Sequence, residues 1–242
     1  MAAALFVSDL HLCPTRPAAT ELFFDLLATI PGQAEALYIL GDLFEYWAGD
    51  DDLDDPFNAS IADALNKLSA RGVKTYFLAG NRDFLIGPEF SRASAVELLA
   101  EPHLGDIGGR PTLILHGDSL CTNDLAYQEF CREVRSTAWR SSFLARPLAQ
   151  RHNEIEALRV RSEEQKRLKP AAIMDVAADA VSALLRHYDY PRLIHGHTHR
   201  PGMQEHLVDG HRCERWVLGD WYGGASYLRC DESGCHALPW PA

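Results

Sequence analysis

Five short apolar runs recur along the chain, and each gives way to polar residues at its end. Residues 3–7 lead into Ser8-Asp9-Leu10-His11, residues 36–40 into Gly41-Asp42, and residues 73–79 into Gly80-Asn81-Arg82-Asp83. Residues 112–115 then lead into His116-Gly117-Asp118, and residues 192–194 into His195-Gly196-His197. Short β-favouring runs bounded by glycine read as buried strands. Helical spacing between them predicts a helix over 18–30, with Thr20 as cap and Glu21 in the first turn, a second over 57–70 closed by Arg71-Gly72, and a third over 88–100. Strands alternating with helices predict the α/β class with a largely parallel, buried sheet. Beyond residue 200 the helices stop. The runs 211–218, 225–230 and 235–239 are expected to pair antiparallel in a second sheet, stacked on the first in one domain spanning 1–242.

A gap of about 75 residues separates the fourth and fifth runs, far more than a crossover needs. It marks an insertion. Residues 123–169 are helical in composition, with Trp139, Phe143, Leu144, Leu148, Ile155 and Leu158 as apolar members and basic residues interleaved. Such a segment reads either as an amphipathic hairpin packed on the core or as a substrate lid with an apolar inner face and a cationic rim.

Composition narrows the class. With 242 residues, 47% of them hydrophobic, the chain can bury a sizeable core. No window approaches the roughly 18 apolar residues of a spanning helix, and the start lacks a basic flank and a cleavage site, so a cytoplasmic location is expected. The formal charge of −11 argues against nonspecific nucleic-acid binding. Residues 130–169 nevertheless hold ten of the 23 Lys/Arg and only five of the 34 Asp/Glu, a basic island in an acidic protein. The five acids between Asp50 and Asp55 lack the glycine and glutamate spacing of an EF-hand and read as a solvated loop. Six cysteines without a paired framework are expected to be reduced and structural.

Candidate chemistry collects at the run ends, where ligands of α/β sheets bind. Asp9, His11, Asp42, Asn81, His116, His195 and His197 offer two carboxylates, one amide oxygen and four imidazoles. Seven donors are too many for one ion and suit two divalent ions sharing a carboxylate. Mixed oxygen and nitrogen donors without thiolate favour Mn²⁺ or a similar metal. Two ions about 3.5–4 Å apart serve hydrolysis of phosphoesters or phosphoanhydrides. Arg82, beside Asn81, is placed to bind a phosphate oxygen.

These motifs, in this order, resemble the signature of the calcineurin-like metallophosphoesterases over residues 5 to 200. That resemblance implies a double β-sheet sandwich flanked by helices. It also implies that Asp42 bridges the ions, with Asp9, His11 and His197 on one and Asn81, His116 and His195 on the other. His199, which alternation would bring to the same side, stands outside that set. A closer resemblance covers nearly the whole chain. Gly80 to Gly87, His116 to Thr122 with Asp124 and Tyr127, Ile173 to Val176, and Val217 to Trp221 are similar to the branch acting on UDP-2,3-diacylglucosamine in lipid A synthesis. That branch has a helical lid where this chain has its insertion.

The closer resemblance implies two Mn²⁺ ions and water attack at the α-phosphorus, giving UMP and 2,3-diacylglucosamine 1-phosphate. Asp42, Asn81, Arg82, His116 and His195 would be catalytic. Asn81, Arg82, Asp124, Ser162, Lys166, Lys169 and His195 would contact substrate. Asp124 and Ser162 read equally as helix caps, the two lysines as a solvated face, and either His11 or His199 could act as general acid. The partners expected are the lipid sugar nucleotide and the cytoplasmic membrane surface, with no nucleic acid, for a monomeric chain held peripherally at the inner membrane. A dimetal hydrolase of a soluble substrate and a metal-free scaffold are the alternatives at this stage.

Overall fold

A computed structural model describes residues 3–168 and 171–241 of the chain. Two mixed β-sheets are stacked face to face. The first has the order β11-β10-β1-β2-β3-β4, and the second β5-β6-β7-β9-β8. In the first sheet, β1 (Ala4–Val7), β2 (Ala36–Leu40) and β3 (Lys74–Leu78) run parallel, joined by β4 (Glu97–Leu99) on one side. The hairpin of β10 (Ala225–Asp231) and β11 (Gly234–Trp240) adds antiparallel to the other side of β1. The second sheet is built on parallel pairs between β6 (Arg110–Ile114), β7 (Arg192–His195) and β9 (His211–Val217). Its edges, β5 (His103–Ile107) and β8 (Gly202–Val208), are antiparallel.

The five apolar runs are thus strands, but they divide three and two between the sheets, and the strands after residue 200 do not form a sheet of their own. Alternation along a run fixes which residues share a face; it does not say which neighbour the strand will pair with. Phe6, Leu40, Ile114, Ile194, Leu218 and Leu228 fill the space between the sheets. Outside the first sheet, α1 (Pro17–Thr29), α2 (Pro56–Ala70) and α3 (Pro88–Ser94) cover a larger apolar cluster that includes Phe23, Leu65, Phe77 and Phe90. Outside the second, α7 (Ala178–His187) presses Val181 and Leu185 onto Leu113 and Leu193.

Two helical expectations are corrected. Pro17 occupies the first helical turn of α1, so Thr20 lies inside the helix with its hydroxyl buried instead of capping it. The helix expected over 88–100 stops at Ser94, because Ala95 turns left-handed (φ 56°), and the chain re-enters the sheet as β4.

The acidic stretch is not a solvated loop. Asp50 accepts backbone N–H bonds from Gly87, Glu89 and Phe90 at the start of α3, and Asp55 caps α2. Four cysteines carry free thiols, but Cys230 and Cys235 form a disulfide, since the β10–β11 hairpin sets them directly opposite each other.

The insertion folds as α4 (Leu125–Val134), α5 (Thr137–Leu144) and α6 (Leu148–Leu168), a helical lid over the strand ends. Phe143 is buried in the outer cluster and stacks on Trp139, whose ring meets Phe84. Leu125, Phe130, Leu144 and Val160 stay exposed on the lid. Among the described residues no helix is long and apolar enough to cross a membrane.

Two leucines on the late strands test where the core lies. Leu228, 1% exposed opposite Phe6, should cost about 3 kcal/mol when cut to alanine. Leu207, 73% exposed on β8, should cost less than about 0.5 kcal/mol. Urea unfolding of the two variants reads the difference, and equal losses would contradict this layering.

Candidate metal centre at the strand ends

Chain turns leave the strands in a strained conformation at the points where the donors sit. Asp9, His11, Asp42, His197 and His199 all have positive φ, between 50° and 67°. Non-glycine residues persist there only when the surroundings hold them. The restraints are visible. The buried Asp83 carboxylate accepts N–H bonds from Gly80 (2.8 Å), Asp42 (3.2 Å) and Leu43 (2.7 Å), locking the loop after β2 against the loop after β3. A Cβ on Gly80 would lie 2.1 Å from Asp42 Oδ1, so only glycine permits this approach. Asp9 accepts from its neighbour Ser8 Oγ (2.6 Å) and, across the sheets, from the His197 backbone N–H (2.8 Å).

Two adjoining clusters result. Donor atoms of Asp9, His11 and His199 lie within 4.8 Å of one another, and so do those of Asp9, Asp42 and His116. Asp42 stands between them, with Oδ2 3.9 Å from His11 Nε2 and Oδ1 3.8 Å from His116 Nε2. Asn81 Oδ1 is 3.1 Å from His116 Nε2, and the His197 ring packs edge-on against His116 with centroids 5.0 Å apart.

Of the histidines expected as ligands, His195 and His197 both stand outside these two triads. His195 is the last residue of β7, and its ring stays within the fold, Nδ1 on the Gly196 carbonyl (2.8 Å) and Nε2 facing Arg215 (3.5 Å). The positive φ of His197 and His199 ends strand alternation after His195. His199 takes the place beside Asp9, with Nε2 3.3 Å from Asp9 and Nδ1 3.1 Å from Asp220.

The donor set fits divalent cations. His116 Nδ1 donates to the Leu40 carbonyl at 2.8 Å, which leaves Nε2 facing only oxygens. Both nitrogens of His11 are buried without a hydrogen-bond partner. A proton or a cation must occupy such a position, because lone pairs facing lone pairs repel. Electrostatics agree. Burial opposes charge on His116, yet the carboxylates around it, Asp42 foremost, hold its pKa up at about 9. Burial pushes Asp42 up to about 7 and takes His11 down to about 2. Burial would also raise Asp9, but the His199 hydrogen bond and the His116 charge hold it well below the usual carboxylate range.

Other expected residues are arranged around this centre. Arg82 donates its backbone N–H to Asp42 Oδ1 (2.8 Å) and sets its guanidinium 3.8 Å from Glu45. Asp124 caps α4 through the Tyr127 N–H, and Tyr127 stacks on His197. Ser162 lies half-buried along α6. Lys169, and the side chain of Lys166, lie outside the described residues.

Glu45, Asp220 and Tyr222 were not anticipated. Asp220 was within reach, since β9 leads into Leu218-Gly219-Asp220 just as β2 leads into Gly41-Asp42. Glu45 and Tyr222 carry no such local signal.

Residues 3–201 match the family described as calcineurin-like phosphoesterase. The chain belongs to this family. Within it, a UDP-2,3-diacylglucosamine hydrolase of Aromatoleum aromaticum is 53% identical over 231 residues, covering 96% of this chain and 94% of that protein. The UDP-2,3-diacylglucosamine hydrolases of Stenotrophomonas maltophilia and Cellvibrio japonicus are 45% and 43% identical, over 95% and 98% of both chains respectively. A calcineurin-like phosphoesterase with these two clusters has the donors for a dimetal hydrolase.

Proton linkage follows from the geometry. A cation can bind His116 and Asp42 only after both have lost the protons that the ion-free site favours. Mn²⁺ affinity should therefore rise with pH through the window from about 7 to about 9, with proton release measurable by calorimetry in buffers of different ionisation enthalpy. A flat affinity across that window would contradict this assignment.

Proposed function

We propose that this chain hydrolyses the diphosphate of UDP-2,3-diacylglucosamine, water attacking the α-phosphorus to release UMP and 2,3-diacylglucosamine 1-phosphate in lipid A synthesis. The observation that carries the reading is a pair of buried carboxylate–imidazole clusters beneath a helical lid, in a chain 53% identical to such a hydrolase across nearly its whole length. Two Mn²⁺ ions would be held, one by Asp9, His11, Asp42 and His199 and the other by Asp42, Asn81, His116 and His197; against the set expected from sequence, His199 stands in for His195 and His197 passes to the second ion. The two-sided approach of Asp42 to His11 and His116 supports its role as the bridge.

When bound, two such ions polarise a phosphoryl oxygen and make water a competent nucleophile near neutral pH. The chain's own groups do the rest. Arg82, anchored through its backbone to Asp42, directs its guanidinium to a phosphate oxygen and offsets the charge that develops there. Asn81 holds an amide oxygen against His116 Nε2. His199, whose pKa the Asp9 hydrogen bond and the Asp9 and Asp220 charges raise against the effect of burial, is fixed in orientation by Asp220. Trp139 and Phe84 give the lid an apolar inner wall suited to acyl chains. Asp124, Ser162, Lys166 and Lys169 are the further substrate contacts. Exposed Leu125, Phe130, Leu144 and Val160, interspersed with arginines, suit a peripheral position on the cytoplasmic membrane surface. The whole chain acts as one monomeric catalytic unit, with 123–169 as its lid.

Hydrolysis of UDP-2,3-diacylglucosamine with Mn²⁺ in ¹⁸O-water should place the label in UMP. Label in the sugar phosphate would overturn attack at the α-phosphorus. Asp42→Asn should lose at least one ion and most turnover, read by metal analysis alongside the rate. Arg82→Ala should keep both ions and lower turnover by roughly 10²–10³-fold, the scale for removing one such donor. Loss of metal in Arg82→Ala would make its role structural.

A further inference from the structure

Glu45 is a buried carboxylate that the chemistry above leaves unused. It lies on the loop after β2, 8% exposed, and four side chains from separate parts of the chain face it. Arg159 of α6 donates to Oε1 at 2.8 Å, and the Tyr222 hydroxyl donates to Oε2 at 3.3 Å. His11 Nδ1 is 3.6 Å from Oε2, and Arg82 Nη1 is 3.8 Å from Oε1. The backbone is fixed as well, since the Glu45 N–H donates to the Leu12 carbonyl at 3.0 Å, one residue beyond His11.

A carboxylate beside one ring nitrogen of a histidine selects the tautomer and aims the other nitrogen. Here Glu45 faces Nδ1 of His11, which leaves Nε2 turned toward Asp42. The same carboxylate is also an attachment point of the lid, through Arg159. We propose that Glu45 is a positioning residue that links lid closure to the ion site: with Arg159 docked, its two oxygens are held where they orient His11 and align Arg82. When the lid lifts, Glu45 loses its strongest hydrogen-bond donor, and the alignment of both residues relaxes with it. The proposal rests on the divalent-ion reading of the site but not on the identity of the substrate.

The test therefore uses Mn²⁺ alone, on the full-length chain, with amide hydrogen exchange as a second readout. Glu45→Gln keeps the side chain's size. It should weaken Mn²⁺ binding at least tenfold by calorimetry, the range seen when a ligand's orienting partner is removed. It should also speed exchange of α6 amides over 155–162 by roughly tenfold, leaving β1–β3 unchanged. Arg159→Gln should speed α6 exchange to the same extent and also weaken Mn²⁺ binding, by roughly threefold, because Glu45 still faces His11 but loses the donor that fixes it; unchanged Mn²⁺ affinity in this variant would overturn the link between lid and ion site. The double variant should exchange no faster than Glu45→Gln. Unaltered Mn²⁺ affinity in Glu45→Gln, acceleration spread equally into β1–β3, or additive effects in the double variant would each overturn the proposal. A wild-type chain that binds no Mn²⁺ would overturn it together with the ion reading, whereas normal binding with any of those outcomes would sink the Glu45 role alone.

Discussion

The carboxylate of Asp83 is the constraint on which the site depends. Three backbone N–H groups from two loops converge on it, and without them Asp42 would not be held left-handed with its oxygens split between His11 and His116. A buried carboxylate meets a desolvation cost that only such bonds offset. Close approach of the loops also requires Gly80, whose missing side chain leaves room for Asp42 Oδ1. The second sheet joins the same arrangement by a different contact, the His197 N–H to Asp9, reinforced by the Gly196 N–H to the His116 carbonyl at 2.8 Å. The centre thus sits where parallel strands of two sheets end together, and the sandwich serves chiefly to bring those ends within a few ångströms.

Lid attachment is electrostatic as much as apolar. Phe143 buries an aromatic ring in the outer cluster, but α6 is tied down by a ladder of charges running toward the site. Arg151, 1% exposed, pairs with Asp51 and donates to the Ala48 carbonyl, His152 meets Asp52 at 3.0 Å, and Arg159 reaches Glu45. All the acceptors belong to the segment that follows Asp42 in sequence. The lid is therefore attached to the segment that follows Asp42. Buried pairs of this kind add little net stability but fix relative position, which is what a lid over a hydrolytic centre requires.

Much of this was legible in the chain as a string. Strand ends bearing Asp9, His11, Asp42, Asn81 and His116 are local features, because a short apolar β-favouring run that gives way to polar residues places those residues beyond a strand's carboxyl end whichever sheet it joins. The insertion was legible for the same reason, as helical periodicity where no crossover needs it. The placement of His195, His197 and His199 was not, since strand alternation says nothing once φ turns positive, and the contacts of His197 with Asp9 and of His199 with Asp9 and Asp220 join distant parts of the chain.

What the sequence determined by itself, then, was the five strands whose ends carry polar donors, the late hairpin strands and the family, all of which depend on patterns a few residues long. Tertiary structure alone decided how the strands divided between two sheets, that Cys230 meets Cys235, and that the basic island docks on the acidic run instead of both facing solvent. Those outcomes depend on pairings between positions far apart in the chain or across a hairpin. Their energies arise from desolvation and geometry that no local pattern encodes.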